Sequence, residues 1–229
     1  MRERYFPRFV AAAYTTISIH DSLRADGTGD FRFRFKLRGR EYTLTLQHLA
    51  DIWGSKNEGV TFKSGSNPHR TWNQFDKLDA ARSLNLGPAA GGKYPIIGMT
   101  ATHCLLMYMV SYVLLPRKRN HRMVMEEDLP IVWAMAQEKQ INWPYSIAHK
   151  MVKYSYGVAT ANLGHAHLWT KILEKLDFDL SREAVVEPGR ANAITRKNIN
   201  QMRRNLIGQA GEGGNEEGEA ADRDVPMEA

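Results

Sequence analysis

Phe31-Arg32-Phe33-Arg34-Phe35-Lys36-Leu37-Arg38-Gly39-Arg40-Glu41-Tyr42-Thr43-Leu44-Thr45-Leu46 is the stretch on which the fold turns. Phe31, Phe33, Phe35 and Leu37 alternate with Arg32, Arg34 and Lys36. A period of two marks a half-buried strand, because successive side chains leave opposite faces of the pleat. Arg38-Gly39-Arg40 supplies a glycine turn, and Tyr42, Leu44 and Leu46 alternate with Thr43 and Thr45 as a return strand. The spacing predicts a β-hairpin over about 31–46. Thr45 also stands where it can cap a helix carrying Leu46, Leu49, Ala50 and Trp53 on one side, with Gly54 at the helix-ending position. A lone hairpin is marginal in water, so its phenylalanines need helices to pack on.

The rest of the chain supplies helices. Tyr5, Phe6, Phe9, Val10 and Ala13 predict a first helix from about Arg4 to Thr15, with Pro7 tolerated in its opening turns. Ala25 to Asp30 is turn chemistry. From Ser55 to Gly98 the breakers Gly65, Pro68, Gly87, Pro88, Gly91, Gly92 and Pro95 predict irregular chain, with one short helix at about Thr71 to Ser83. Thr100 caps an uncharged helix to about Leu115, stopped by Pro116. That stretch is shorter than the roughly 18 apolar residues a membrane span needs, so it reads as a core helix. Glu126, Glu127 and Asp128 put negative charge at the start of a helix running through Ile131, Val132, Ala134 and Met135 to about Glu138. Asn142 caps the next, with Pro144 in its first turn and Gly157 after Tyr156 at its end. His165 to Leu176 is amphipathic through Leu168, Ile172, Leu173 and Leu176. A last helix, about Thr195 to Leu206, carries Arg196, Lys197, Arg203 and Arg204.

The expected fold class is therefore mainly α with a small β-hairpin, an α+β arrangement around a helical core. A single domain is expected over 1–208, its helical half at about 100–207, and the Gly, Glu and Ala composition of 209–229 predicts a disordered acidic tail. At 229 residues, 43% apolar and 24% charged, the chain is long and apolar enough to bury a real core. The net charge of +6 hides an asymmetry. Seven acids against Arg223 alone give residues 209–229 a charge of −6, which leaves +12 on residues 1–208. A basic body of that kind attracts polyanions without choosing among them. Arg2, Arg4 and Arg8 with Pro7 do not form a secretion signal, so an intracellular protein of nucleus or cytoplasm, not secreted and without a membrane span, is expected.

No motif for catalysis stands out. Asp26-Gly27-Thr28-Gly29 is one glycine away from an aspartic-protease Asp-Thr-Gly, and the apolar flanking strands are missing. His165 and His167 lie two apart, which points them in different directions on a helix. His103 and Cys104 sit in the most apolar helix and read as core. Cys104 is the single cysteine, which excludes an internal disulfide and any zinc site built on two thiolates. Gly87 to Lys93 lacks the Ser or Thr that follows the lysine of a phosphate loop. No catalytic residue, metal site, cofactor or small-molecule substrate is expected.

Basic patterning is the stronger feature. Arg32, Arg34, Lys36, Arg38 and Arg40 fall at every second position, so a strand reaching that far shows them on one face at about 6–7 Å spacing. Phosphates along a nucleic-acid strand repeat at a comparable distance, so the stripe suits backbone tracking in RNA or DNA; it is equally the ordinary solvent face of a hairpin. Arg117, Lys118, Arg119 and Arg122, with His121, form a basic connector suited to phosphate contact, nuclear import or plain solvation. The phenylalanines that alternate with Arg32 and Arg34 belong to the core face, and aromatic residues suited to base stacking are not interleaved with these charges, which argues against sequence-specific RNA reading.

The hairpin passage, followed by His48-Leu49-Ala50 and Ile52-Trp53-Gly54, resembles the first-open-reading-frame protein of Athila-type plant retrotransposons and a related plant transposon protein domain. Asn120-His121-Arg122, Glu126-Glu127-Asp128-Leu129 and Val132-Trp133-Ala134-Met135 resemble that family's second block. Ile141-Asn142-Trp143-Pro144 and Ile147-Ala148 resemble its third. The resemblance spans roughly residues 2 to 207 and rests on core and turn residues. It implies a plant mobile-element product, gag-like, structural or nucleic-acid-binding, able to self-associate and without catalytic activity. Cys104 alone cannot supply the zinc knuckle of many gag proteins. The alternatives are a host-adapted nuclear protein-interaction module and, behind it, a transposase-type nuclease.

Overall fold

A computed structural model describes residues 5–23, 29–62, 75–116, 120–156 and 165–186. Strands β1 (Ser18–Asp21), β2 (Phe31–Leu37) and β3 (Arg40–Leu44) form an antiparallel sheet in that order, with β2 in the middle. The predicted alternation holds: Phe31, Phe33, Phe35 and Leu37 are buried, while Arg32 and Lys36 are exposed and Arg34 is half-buried. Arg38 and Gly39 both take positive φ, 48° and 77°, the geometry that joins twisted strands through two residues. Arg38 pays for its left-handed backbone with contacts: its guanidinium lies 4.9 Å from the centre of the Phe9 ring and 3.7 Å from Glu183.

The inner face of the sheet packs on helices α1 (Pro7–Thr16), α2 (Leu46–Trp53), α6 (Trp143–Tyr156) and α7 (Ala166–Lys175). Trp169 of α7 is fully buried and meets Tyr14, Phe33 and Phe35 at centroid distances of 5.7, 5.7 and 5.0 Å. Helix α2 starts as the sequence implies, with the Thr45 hydroxyl accepting from the His48 amide and Gly54 closing the helix at φ 67°. The return strand stops at Leu44, because Thr45 and Leu46 already belong to that cap and helix.

A second apolar cluster is built between α2 and α6. It comprises α3 (Lys77–Ser83), the two-stranded pair β4 (Lys93–Pro95) and β5 (Met123–Met125), α4 (Ala101–Met109) and α5 (Leu129–Ala136). Its two ends are tied side by side. The Val60 amide donates to the Gln140 carbonyl at 2.9 Å, the Asn142 amide donates to the Val60 carbonyl at 3.0 Å, and Asn142 Nδ2 donates to Asn57 Oδ1 at 2.9 Å. Asn142 also caps α6 through the Tyr145 amide, as the sequence suggests.

The chain is mainly α with small antiparallel sheets. Several boundaries differ from the sequence reading. Helix α1 starts at Pro7, which occupies its first turn. The uncharged helix is not uniform: α4 ends at Met109 and a π-helical turn, Val110–Leu114, follows. Helix α5 starts at Leu129 and ends at Ala136, and the Asp128 side chain makes no capping hydrogen bond. Strands β1, β4 and β5 went unanticipated. The proposed helix at Thr195–Leu206, the tail 209–229 and the Asp26–Thr28 motif lie outside the described residues. Among the described residues no helix is long and apolar enough to cross a membrane.

Gly59 is where the clamp at the base of the second cluster is most exacting. Its φ is 103°, and a Cβ built there would lie 2.4 Å from the Gln140 carbonyl oxygen. Gly59→Ala is expected to lower stability by roughly 2–3 kcal/mol in urea unfolding, against about 1 kcal/mol for Gly54→Ala. The Gly54 site has nothing within 4 Å of the added carbon.

Candidate functional site

Because β2 is the central strand, its outward side chains are flanked on both sides. Arg32 lies opposite His20, Arg34 lies between Ser18 and Thr43, and Lys36 lies opposite Glu41. Glu41 is the one acidic residue among those neighbours, so the outer sheet face is basic. The five-residue stripe expected from sequence is cut to three: Arg38 lies in the turn and Arg40 opens the next strand, where the chain has reversed. Partners temper the charge. Arg32 Nε sits 2.6 Å from Asp30, and Lys36 Nζ sits 3.7 Å from Glu41. These are exposed pairs of the kind worth little, so an incoming anion can compete for them. Arg34 differs, since its Nε is buried without a hydrogen-bond partner among the described residues. Of the connector, Arg117, Lys118 and Arg119 lie outside the described residues, while Arg122 is exposed.

A second cluster stands beside Arg122, and the sequence reading missed it. Tyr108 and Tyr112, one helical turn apart, stack at 5.7 Å and 25°. His121 then lies flat on Tyr112 at 3.8 Å and 14°. Burial raises the pKa of the Tyr108 hydroxyl; the Tyr112 and Cys104 side chains add to that, and the Arg122 cation opposes it, which places the guanidinium within electrostatic reach of the ladder. The i,i+4 spacing of the two tyrosines is readable in sequence. Their meeting with His121 is not, because a chain reversal separates them. Folding thus brings two tyrosines beside Arg122.

Other titratable groups tie elements together. The Tyr145 hydroxyl donates to Asp21 Oδ2 at 2.7 Å, His149 Nε2 lies 3.1 Å from the same oxygen, and the Leu23 amide donates to Oδ1. Burial alone would raise the Asp21 pKa, but these hydrogen bonds and the His149 charge outweigh it and hold the carboxyl at about 2. The Tyr145 hydroxyl is pushed up by burial and by the carboxylate beside it. A His–Asp pair is the orienting part of a hydrolytic triad; among the described residues no serine, threonine or cysteine bonds to His149. Lys150, nearly buried on α6, donates to Glu127 at 2.9 Å and lies 3.9 Å from Asp128; Lys153 also pairs with Glu127.

His165 is the residue in the left-handed backbone just before α7 (φ 60°), and burial pushes its pKa down to about 3, so it is neutral at physiological pH. Cys104 is buried as core and its thiol pKa is raised by that burial, while His103 is half-buried. Glu126 pairs with Lys77. Among the described residues no group of three or more His, Cys, Asp or Glu side chains is placed to hold a metal ion. Comparison with known proteins gave no matching family model, no similar curated protein and no similar solved structure.

The Asp21 site makes a pH prediction. A carboxyl whose folded pKa is depressed stabilises the fold at pH values above its unfolded pKa, near 3.9, and loses that contribution as pH falls through about 2. Urea midpoints measured from pH 5 to pH 2 are expected to fall steeply for the native chain. For Asp21→Asn they are expected to start lower and fall less over the same interval.

Proposed function

We propose that this chain is a non-catalytic polyanion-binding protein of plant retrotransposon descent, gag-like in role, which acts in the nucleus or cytoplasm. It holds RNA or DNA through phosphate contacts on the outer face of its sheet. The observation that carries the reading is the central strand β2, which turns Arg32, Arg34 and Lys36 to one side beside Ser18, His20 and Thr43. Residues two apart on a strand repeat at roughly 6.6–6.8 Å, so successive cations can follow a phosphate backbone without reading bases. The +12 on residues 1–208 supports the same reading, since it favours association with any polyanion at low salt. The ancestry rests on the sequence resemblance at 31–54, 120–135 and 141–148.

A host-adapted protein-interaction module is the second reading. It is favoured by Leu105 and Val113 on the uncharged helical segment, which are 43% and 49% exposed. Leucine and valine presented outward by a helix suit a protein partner better than a phosphate.

Fluorescence anisotropy against single-stranded RNA and duplex DNA tests the first reading. Affinity is expected to fall linearly in log salt, and Arg32→Ala/Arg34→Ala/Lys36→Ala is expected to weaken binding and reduce the duplex salt slope by about 2–3. Absence of binding at low salt, or a triple variant that binds as the native chain does, would contradict the proposal.

A further inference from the structure

Residues Val110–Leu114 form a π-helical turn, a backbone that accounts for well under 1% of residues in globular proteins. Such turns occur mostly as single-turn bulges within α-helices, frequently at functional sites. This one contains Tyr112, the middle ring of the Tyr108–Tyr112–His121 ladder. The other side of the ladder is just as specifically built. Asn120 takes φ 65° and its carbonyl accepts from the Met123 amide at 3.1 Å, so His121 and Arg122 are the two central residues of a tight reversal. The reversal is anchored where Met123 pairs with Pro95 at the start of β5. Two uncommon backbone features thus converge on one stack of planar rings, of which Tyr112 and His121 are half-buried and whose neighbour Arg122 is exposed.

Hydrophobic packing alone does not account for this composition. Tyr108 is the well-buried ring and already anchors the ladder in the second core. His121 adds little apolar area for a residue held flat at 3.8 Å, and Arg122 is exposed. A planar π-surface that includes partly exposed rings next to a cation is the arrangement on which nucleobases stack, and stacking tolerates any base because every base has a π-face.

We infer that the Tyr108–Tyr112–His121 ladder is a stacking subsite for an unpaired base, with Arg122 taking an adjoining phosphate, so that the nucleic acid this protein prefers is single-stranded. The inference rests on the proposed phosphate-binding role and narrows its ligand. A base inside a duplex is already stacked on both sides and cannot join the ladder, whereas an unpaired base can. Binding requires the base to compete with the further contact that His121 makes in the free protein. The subsite supplies preference for unpaired strands without sequence reading, while the sheet face supplies sequence-independent attraction.

The test uses the full chain with three probes of equal length: single-stranded RNA, single-stranded DNA and duplex DNA, each single strand also made with one 2-aminopurine. The native chain is expected to bind both single strands more tightly than the duplex and to quench the 2-aminopurine. His121→Ala is expected to weaken single-strand binding by roughly 5- to 150-fold, the range for losing one stacked base, and to abolish the quench while leaving duplex affinity unchanged. His121→Phe, which keeps a planar ring in the same exposed turn, is expected to restore both. Equal affinity for single strands and duplex, with His121→Ala silent, overturns the inference while leaving the phosphate-binding role standing. Failure of the native chain to bind any of the three probes at low salt overturns that role as well.

Discussion

The burial of one face of β2 against Trp169 is the constraint from which the rest of the molecule follows. Phe33 and Phe35 both contact the indole, Tyr14 closes it from α1, and Phe35 stacks on Tyr42 at 5.3 Å. Each such pair contributes roughly 0.5–1.5 kcal/mol beyond the area it buries. The larger consequence is register. Side chains alternate with a period of two, so fixing the phenylalanines inward fixes Arg32, Arg34 and Lys36 outward, and a slip of one residue would bury three cations. Core and basic face are the two sides of one decision.

Helix α6 carries that order into the second core. Tyr145, Ala148, Met151 and Val152 face the first cluster, and Ile147 packs against both. Its lysines reach the other way, with Lys150 and Lys153 on Glu127, and the Tyr154 hydroxyl donates to the Pro116 carbonyl. A nearly buried lysine is costly unless paired, so the Glu127 and Asp128 carboxylates fix where the β5–α5 turn sits on α6. Glu126, Glu127 and Asp128 therefore serve pairing across elements more than the helix-start role their sequence position suggests. With the Val60–Ile141 bridge at its base, the second cluster is held at two separate points.

Much of this was legible in the sequence wherever the signal is local. The alternation of 31–37, the Thr45 cap, Gly54 and Asn142 each act within a few residues, and each appears where expected. Strands β1, β4 and β5 were not legible, because runs of three or four residues become strands only through partners that the fold brings to them. The basic stripe was half legible: alternation identifies Arg32, Arg34 and Lys36, but extending it to Arg38 and Arg40 runs through the turn that Gly39 already marks, where the strand ends. The aromatic ladder was hidden by the π-helical turn and by the reversal at Asn120, neither of which has a compositional signature here.

The fold thus presents two surfaces of different chemistry, a cationic sheet and a stack of rings beside Arg122, and both depend on backbone fixed by burial behind them. The most direct measurement of the central claim is the set of nuclear Overhauser contacts to the Trp169 indole in the folded chain. Contacts from the Phe33 and Phe35 rings and from Tyr14, with none from the Arg34 methylenes, are the predicted result. Contacts from Arg32 or Arg34 in place of the phenylalanines would reverse the strand's faces and contradict the account.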